Sequence, residues 1–325
     1  MKATAVAPAN IAFIKYWGKK NEVLRLPENG SISMNLSNLL TTTTVAFSPD
    51  SQTDEVVIDG QSQDKEQKRM VGHLDRIRQL AKINYKAKVT SKNNFPSSTG
   101  LSSSASGFAA LTVAATKAAG LNLNAKELSI LARQGSGSAC RSIPDGFVEW
   151  LDGDTSETSY AVSIFPPDYW NVVDVVVIVS KEKKDVSTTE GQKLAVSSPF
   201  FTVRQSQIKE KIGKIKNLIK TKKFVEFGEL IEEEALELHA IMLTSTPSLL
   251  YWLPGTVELM RLARQLRQEG LPVYFTVNTG QNIHLIVQKK DADILLKQLN
   301  KLDVVHKVII NKPAVGARIT EASLF

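Results

Sequence analysis

Pro96-Ser97-Ser98-Thr99-Gly100-Leu101-Ser102-Ser103-Ser104-Ala105-Ser106 leads without a break into the apolar run Gly107 to Ala119. Small residues let the backbone curl closely around a ligand. The helix predicted to follow aims its unpaired first-turn N–H groups and the positive end of its dipole at the same place. An anion belongs there, and a phosphate suits best, because several N–H donors and serine hydroxyls reach its oxygens together. No Gly-Lys-Ser/Thr closes the loop as in a Walker A sequence, and the dinucleotide fingerprint is missing too. The competing reading is a serine-rich turn capping a core helix, and composition alone leaves both open.

Working outward, Lys2 to Ala7 alternates small and apolar residues and predicts a strand stopped by a turn at Pro8. The next strand ends in Lys15, Tyr16 and Lys19 beside Gly18. One lysine there would snorkel to the surface, whereas two with a tyrosine point to a site. Thr41 to Thr44 fit a pleated surface, and Asp50 to Asp64 reads as a polar hairpin region. Met70, Leu74, Ile77 and Ala81 mark one face of a helix in which His73 is structural or solvated. Beyond the central helix, Asn124 and Glu127 form a capping box for a short helix. Gly135-Ser136-Gly137-Ser138-Ala139-Cys140-Arg141-Ser142 is then a second glycine-serine segment. Its arginine offers a planar fork of donors to a carboxylate or phosphate; standing alone it would read as a surface salt bridge.

Pro166-Pro167-Asp168 is a crossing between lobes, followed by a buried strand from Val172 to Val179. Two helices follow, one amphipathic through Ile208, Ile212, Ile215 and Ile219 and one from about Phe224 to His239. Thr256 is read as the cap of a further helix ending at Gln268. After it, a strand, turn, strand, helix and strand between Val273 and Ile310 predict a helix-backed antiparallel sheet. The fold class is therefore α+β, with a first lobe over 1–170 and a second over 171–325.

The 325 residues, 42% of them hydrophobic, are enough for a large core. Forty Lys and Arg against 33 Asp and Glu leave a net charge of +7, which suits an enzyme of anionic metabolites. Nucleic-acid binding is disfavoured, because the lysines are spread over helices without interleaved aromatics. The single cysteine, Cys140, excludes an intramolecular disulfide and fits a reducing compartment. With no apolar signal region or membrane-length run, the expectation is a soluble cytoplasmic protein.

The first loop, as Pro96-x-x-x-Gly100-Leu101-x-Ser103-Ser104-Ala105-Ser106, resembles the phosphate loop of the GHMP kinase superfamily. Ala9 to Lys19, Gly135 to Ser142 with Gly146-Phe147-Val148-Glu149-Trp150, and Leu238-His239-Ala240 narrow the resemblance to the diphosphomevalonate decarboxylase family, over essentially the whole chain. The resemblance implies a GHMP kinase fold: an N-terminal lobe like ribosomal protein S5 domain 2, a ferredoxin-like C-terminal lobe, and a cleft where ATP and substrate meet. Similar enzymes use ATP and Mg²⁺ to phosphorylate the C3 hydroxyl of 5-diphosphomevalonate, and phosphate then leaves with CO₂ to give isopentenyl diphosphate. Carried onto this chain, Ser97, Gly100, Ser102, Ser103 and Ser104 would bind the ATP phosphates, with Ser104 at the metal. Tyr16, Lys19, Ser136 and Ser138 would face the substrate phosphates, and Asn10 with Arg141 its carboxylate. Lys15 and Asn278 would stand at the reacting hydroxyl. A homodimer is expected on the same basis.

Two positions depart from the family pattern. The family motif Asp-Ala-Gly-Pro-Asn is here Asn278-Thr279-Gly280-Gln281-Asn282. An asparagine accepts a hydrogen bond but takes no proton, and losing a general base costs roughly 10²–10⁴-fold in rate. This leaves a working decarboxylase, a 3-kinase that stops before decarboxylation, or a nucleotide-binding relative without turnover, with Asp145 as a candidate substitute carboxylate. Thr188-Thr189 also stand where some relatives carry Ser-Arg, which keeps 5-phosphomevalonate open as the substrate.

Overall fold

A computed structural model describes residues 1–61, 64–97 and 99–325, so Ser98 of the first loop lies outside the described residues. The first strand, β1 (Lys2–Ile14), leads through a small ribbon of β2 (Lys19–Asn21) and β3 (Leu26–Pro27) into the long β4 (Ser31–Ser48). β1 and β4 pair antiparallel from Lys2 opposite Ala46 to Ile14 opposite Ile32. The turn expected at Pro8 does not form. Pro8 sits inside β1 opposite Leu40, and a register shift before Asn10 accommodates a residue that donates no ladder bond.

The polar stretch after Asp50 is not a hairpin either. Its strand β5 (Glu55–Ile58) runs parallel to β6 (Lys86–Asn93), with α1 (Asp64–Ala81) as the crossover that a parallel pair requires. His73 on α1 is structural: it is fully buried and hydrogen-bonds Thr112 at 2.9 Å. That threonine lies on α2 (Ser103–Ala118), the helix behind the serine loop, which is buried against β1 and β4 and stops before the left-handed Gly120. The capping box of α3 (Ala125–Gly135) forms as read, Asn124 accepting from the Glu127 N–H and Glu127 from the Asn124 N–H. A 3₁₀ turn over Gly137–Ser142 then precedes β7 (Phe147–Trp150), which pairs with β4, and β8 (Ala161–Phe165), which pairs with β7.

The second layer begins at β9 (Val172–Ile178), whose residues are buried on both faces. After it come α4 (Thr188–Lys193), α5 (Phe201–Thr221), α6 (Phe224–Thr244) and α7 (Pro254–Gln268). Thr256 is not the cap of α7 but lies in its first turn, where its hydroxyl accepts the Leu253 N–H and donates to the Gln281 carbonyl. The strands β10 (Val273–Thr276) and β11 (Ile283–Gln288), the helix α8 (Ala292–Leu299) and the strand β12 (Lys307–Asn311) complete an antiparallel sheet ordered β10-β11-β9-β12. That order with two helical crossovers is the ferredoxin-like arrangement. The last strand, β13 (Arg318–Thr320), returns to pair with β1, so among the described residues the first sheet has seven strands.

The alternation of β9 divides the packing. Val173, Val175 and Val177 face Leu259, Leu266 and Leu295 of α7 and α8. Val172, Val176 and Ile178 join Ile11, Phe13, Ile32 and Met34 of the first sheet, with Ile215 and Phe227 from α5 and α6. One apolar core thus runs across the junction of the two lobes and holds the end of β1 against one face of the second sheet. We propose a lobe boundary near residue 170, with the tail after β12 going back to the first lobe.

Candidate active site

The end of β1 is tied on both sides of one residue. The Lys15 N–H donates to Glu234 Oε2 at 3.1 Å, and its carbonyl accepts from Arg204 Nη2 at 2.8 Å and Asn29 Nδ2 at 2.9 Å. Glu234 and Arg204 are themselves paired at 2.8 Å and buried. This clamp fixes the direction of the Lys15 side chain, which is only 2% exposed and does not snorkel. Its Nζ donates to the Ala12 carbonyl at 2.7 Å, to Thr276 Oγ1 at 2.6 Å and to Asn278 Oδ1 at 3.4 Å.

Asn278 joins the lobes. Its Nδ2 donates to Ser102 Oγ at 3.0 Å and to the Asn10 carbonyl at 3.5 Å. Its own carbonyl accepts from His239 Nε2 at 3.0 Å. Burial, opposed by that hydrogen bond, drops His239 to about 3, so the ring is neutral with its proton on Nε2.

The guanidinium of Arg141, from the 3₁₀ turn, reaches the same place. Nε and Nη2 donate to Asn10 Oδ1 at 3.3 and 3.1 Å, and Nη1 donates to Ser31 Oγ at 2.7 Å. Asn10 is oriented for this by donating to Ser142 Oγ at 2.9 Å and to the Ser138 carbonyl at 3.3 Å. Arg141 is 4% exposed and, among the described residues, no carboxylate pairs with it. Burial presses its guanidinium below the ordinary range, but an arginine stays charged through such a shift. A buried cation facing only neutral acceptors awaits an anion.

The two glycine-serine segments meet, Ser136 Oγ standing 3.4 Å from Ser104 Oγ. Ser102 takes up the left-handed backbone conformation, φ 59°, before α2 and gives that helix no side-chain cap, because its hydroxyl is turned to Asn278. Gly100, at φ 92°, lies against Gly280 of the second lobe. A Cβ on Gly280 would fall 2.4 Å from Gly100 Cα and 2.8 Å from the Thr99 carbonyl. Backbone on both sides cannot give way, so Gly280→Ala is expected to cost about 1–3 kcal/mol. It should also weaken binding of an ATP analogue at least about tenfold by pushing the phosphate loop out of place. A thermal melt and a calorimetric titration read the two effects. Ser97, Ser103 and Ser104 meanwhile line a cavity with Ser91, Asn93 and Phe108.

Other expected site residues are placed less simply. Tyr16 packs edge-on to Trp150 at 4.6 Å and against Gly137, and burial pushes its hydroxyl well up, leaving a permanent donor. Lys19 is paired with Glu22 at 2.6 Å, and burial lowers it despite that pairing. Asp145 does not substitute for the missing carboxylate: it sits on an exposed turn and accepts the Gly316 N–H at 2.6 Å, whereas Lys15 and Arg141 are buried.

Several residues around the site escape sequence reading. Asn282 was read as turn, yet its Nδ2 holds the Thr99 carbonyl at 3.0 Å while its Oδ1 accepts the Val179 N–H at 2.8 Å. Lys184 bonds Thr188 Oγ1 at 2.6 Å and the Thr279 carbonyl at 2.8 Å, and burial brings it down to about 8. Arg25 and Arg69 hold the Gln134 and Gly135 carbonyls, adding positive charge beside the second loop. Of these, Asn282 alone carries a usable signal, because it follows the family pattern at the fifth position of the Asn278–Asn282 motif.

Residues 7–161 match the model for the diphosphomevalonate decarboxylase-like N-terminal domain, and 174–316 that for the mevalonate 5-diphosphate decarboxylase C-terminal domain. The chain is 36% identical over 323 residues to a diphosphomevalonate decarboxylase of Debaryomyces hansenii, covering 92% of this chain and 82% of that one. It is 33% identical over 297 residues to a phosphomevalonate decarboxylase of Haloferax volcanii, covering 90% of each. A solved relative, a complex with MVAPP, AMPPCP and magnesium, superposes with a TM-score of 0.93 at 38% identity over 99% of both chains. Agreement over both lobes places this chain in the diphosphomevalonate decarboxylase family.

Proposed function

We propose that the chain catalyses the ATP- and Mg²⁺-dependent decarboxylation of 5-diphosphomevalonate to isopentenyl diphosphate, through phosphorylation of the C3 hydroxyl. The observation that carries this reading is Arg141, a buried guanidinium with no carboxylate partner among the described residues, on the second glycine-serine segment where that segment meets the first. Arg141 and Asn10 would hold the substrate carboxylate so that its C–C bond lies parallel to the bond that breaks at C3. Tyr16, Lys19, Ser136 and Ser138 would hold the phosphates at the other end. Gly100, Ser97, Ser102 and Ser103 would form the nucleotide loop at the start of α2.

Ser104 fits the proposed metal position. Its hydroxyl is an exposed hard oxygen at the helix start, and among the described residues no cluster of three acidic, histidine or cysteine side chains competes for a metal. Magnesium bound there with the nucleotide supplies charge neutralisation of the phosphates. The relatives reported above are decarboxylases by name, which gives no support to a 3-kinase or an inert binder. We carry 5-phosphomevalonate as a second candidate substrate because Thr188 and Thr189 stand where some relatives offer an arginine and a relative of comparable similarity is a phosphomevalonate decarboxylase. A homodimer belongs to the same proposal on resemblance alone, and a cytoplasmic location on the reading of the sequence; among the described residues no helix is long and apolar enough to cross a membrane.

Incubation with Mg-ATP and each mevalonate species, following ADP and CO₂ together, tests the assignment. Equal release of both from 5-diphosphomevalonate is the expected result. ADP without CO₂ would make the protein a kinase, and neither product would make it a binder.

A further inference from the structure

Among the described residues the oxygens around the Lys15 nitrogen are all uncharged: the Ala12 carbonyl at 2.7 Å and the Thr276 hydroxyl at 2.6 Å take the two N–H groups of a neutral amine, while the Asn278 amide oxygen stands off at 3.4 Å and leaves the lone pair free on that side. Among the described residues no carboxylate lies within ion-pair distance of Nζ. The charged groups facing it come from four elements: Glu234 on α6, Arg141 in the 3₁₀ turn, Arg204 on α5 and Asp174 on β9. Glu234 spends its contacts on the Lys15 main chain and on Arg204, and Asp174 pairs with His284 at 2.9 Å. His239, the remaining titratable neighbour, is neutral. Burial lowers the amine to about 7, with Glu234 and Asp174 opposing the fall and Arg141 and Arg204 reinforcing it. A carboxylate at 278, which the family pattern would place 3.4 Å away or nearer, would hold Lys15 as an ammonium; the amide does not.

Resting on the decarboxylase reading, we propose that the Lys15 amine is the proton acceptor of this chain, taking the C3-hydroxyl proton that the family carboxylate would otherwise receive. As the C3 oxygen bonds to the transferred phosphorus, the bond from phosphorus to ADP breaks and ADP leaves with that electron pair. The hydroxyl proton passes to Nζ, giving an ammonium. In the second step the C3–O bond breaks toward phosphate, the C–C pair of the carboxylate becomes the double bond, and CO₂ departs. The ammonium returns its proton to the leaving phosphate, and the neutral amine is restored. Arg141 keeps the carboxylate charge away from this exchange, and Thr276 and the Ala12 carbonyl orient the amine for it.

The pH dependence of ADP and CO₂ release, from about pH 5.5 to 9, decides the matter. Turnover by the unchanged protein should fall about tenfold per unit on the acid side of about 7. In Asn278→Asp the acid limb should move to lower pH, because a carboxylate takes the proton instead. Lys15→Ala should lose at least about 10²-fold and be rescued by methylamine in proportion to the unprotonated amine. Titration of the ¹³Cε-labelled lysines by NMR reads the same group without turnover, with the Lys15 midpoint rising by more than one unit in Asn278→Asp. Turnover that stays flat across the range, or Lys15→Arg retaining activity within about tenfold, would overturn the base while leaving the decarboxylase intact. Absence of turnover at every pH with both phosphorylated mevalonates would overturn both.

Discussion

Arg141→Gln is expected to lower CO₂ release by roughly 10²–10³-fold, the loss seen when one preorganised charge-stabilising donor is removed from a dry site. The free protein should lose no stability. In the absence of substrate the guanidinium is buried against Asn10 and Ser31 with no opposite charge among the described residues, a state that costs folding energy and is retained for binding. The melting temperature of the variant should therefore equal or exceed that of the parent. The rise in melting temperature produced by 5-diphosphomevalonate, which follows the ratio of ligand concentration to Kd, should largely vanish. A variant that melts many degrees lower yet still releases CO₂ would mean that Arg141 braces the fold rather than the substrate.

Glu234→Gln should act in the opposite sense, on the fold first. Glu234 is fully buried, bonds Arg204 at 2.8 Å and the Lys15 N–H at 3.1 Å, and lies 3.6 Å from Lys211. Removing its charge strands Arg204, 3% exposed, in the core, which costs about 3–5 kcal/mol. For a chain of this size the melting temperature should fall on the order of 10 °C. The pH dependence has a definite sign. Burial pushes the Glu234 carboxyl up, but Arg204, the Lys15 N–H and Lys211 outweigh it and hold the group below the ordinary glutamate range. Its contribution to stability is thus present above the unfolded value and lost as the pH falls through and below it. Denaturant unfolding between neutral and acid pH should show a shallower acid loss in Glu234→Gln than in the parent. Equal slopes would show that the carboxylate is not linked to folding.

Local chemistry was legible where one segment contains its own reason. The serine loop feeding α2, the capping box of α3 and the helix-backed antiparallel strands after Val273 are each dictated by short-range pattern, and each forms. The convergence of Arg141, Asn10 and Lys15 was reached through resemblance, and their partners lie far off in sequence. The Lys15 N–H meets a carboxylate 219 positions away, and no periodicity marks Glu234 as anything but a helix residue. Pro8 misled for a related reason: a proline breaks a strand by its local rule, but a 13-residue strand buried on both faces absorbs it at a bulge. The parallel pairing of β5 depends on β6, whose role in the sheet no turn signal announces.

The polypeptide passes between its two lobes twice, once through Pro166-Pro167 and again where Pro313 bridges to Leu36 and the Gly146 N–H donates to the Ala314 carbonyl, before β13 joins β1. With two chain crossings and one apolar core shared across the junction, the Gly100–Gly280 contact and the Asn278 bridge are held in register, so alignment of the reacting groups is inherited from chain connectivity rather than rebuilt by each arriving substrate.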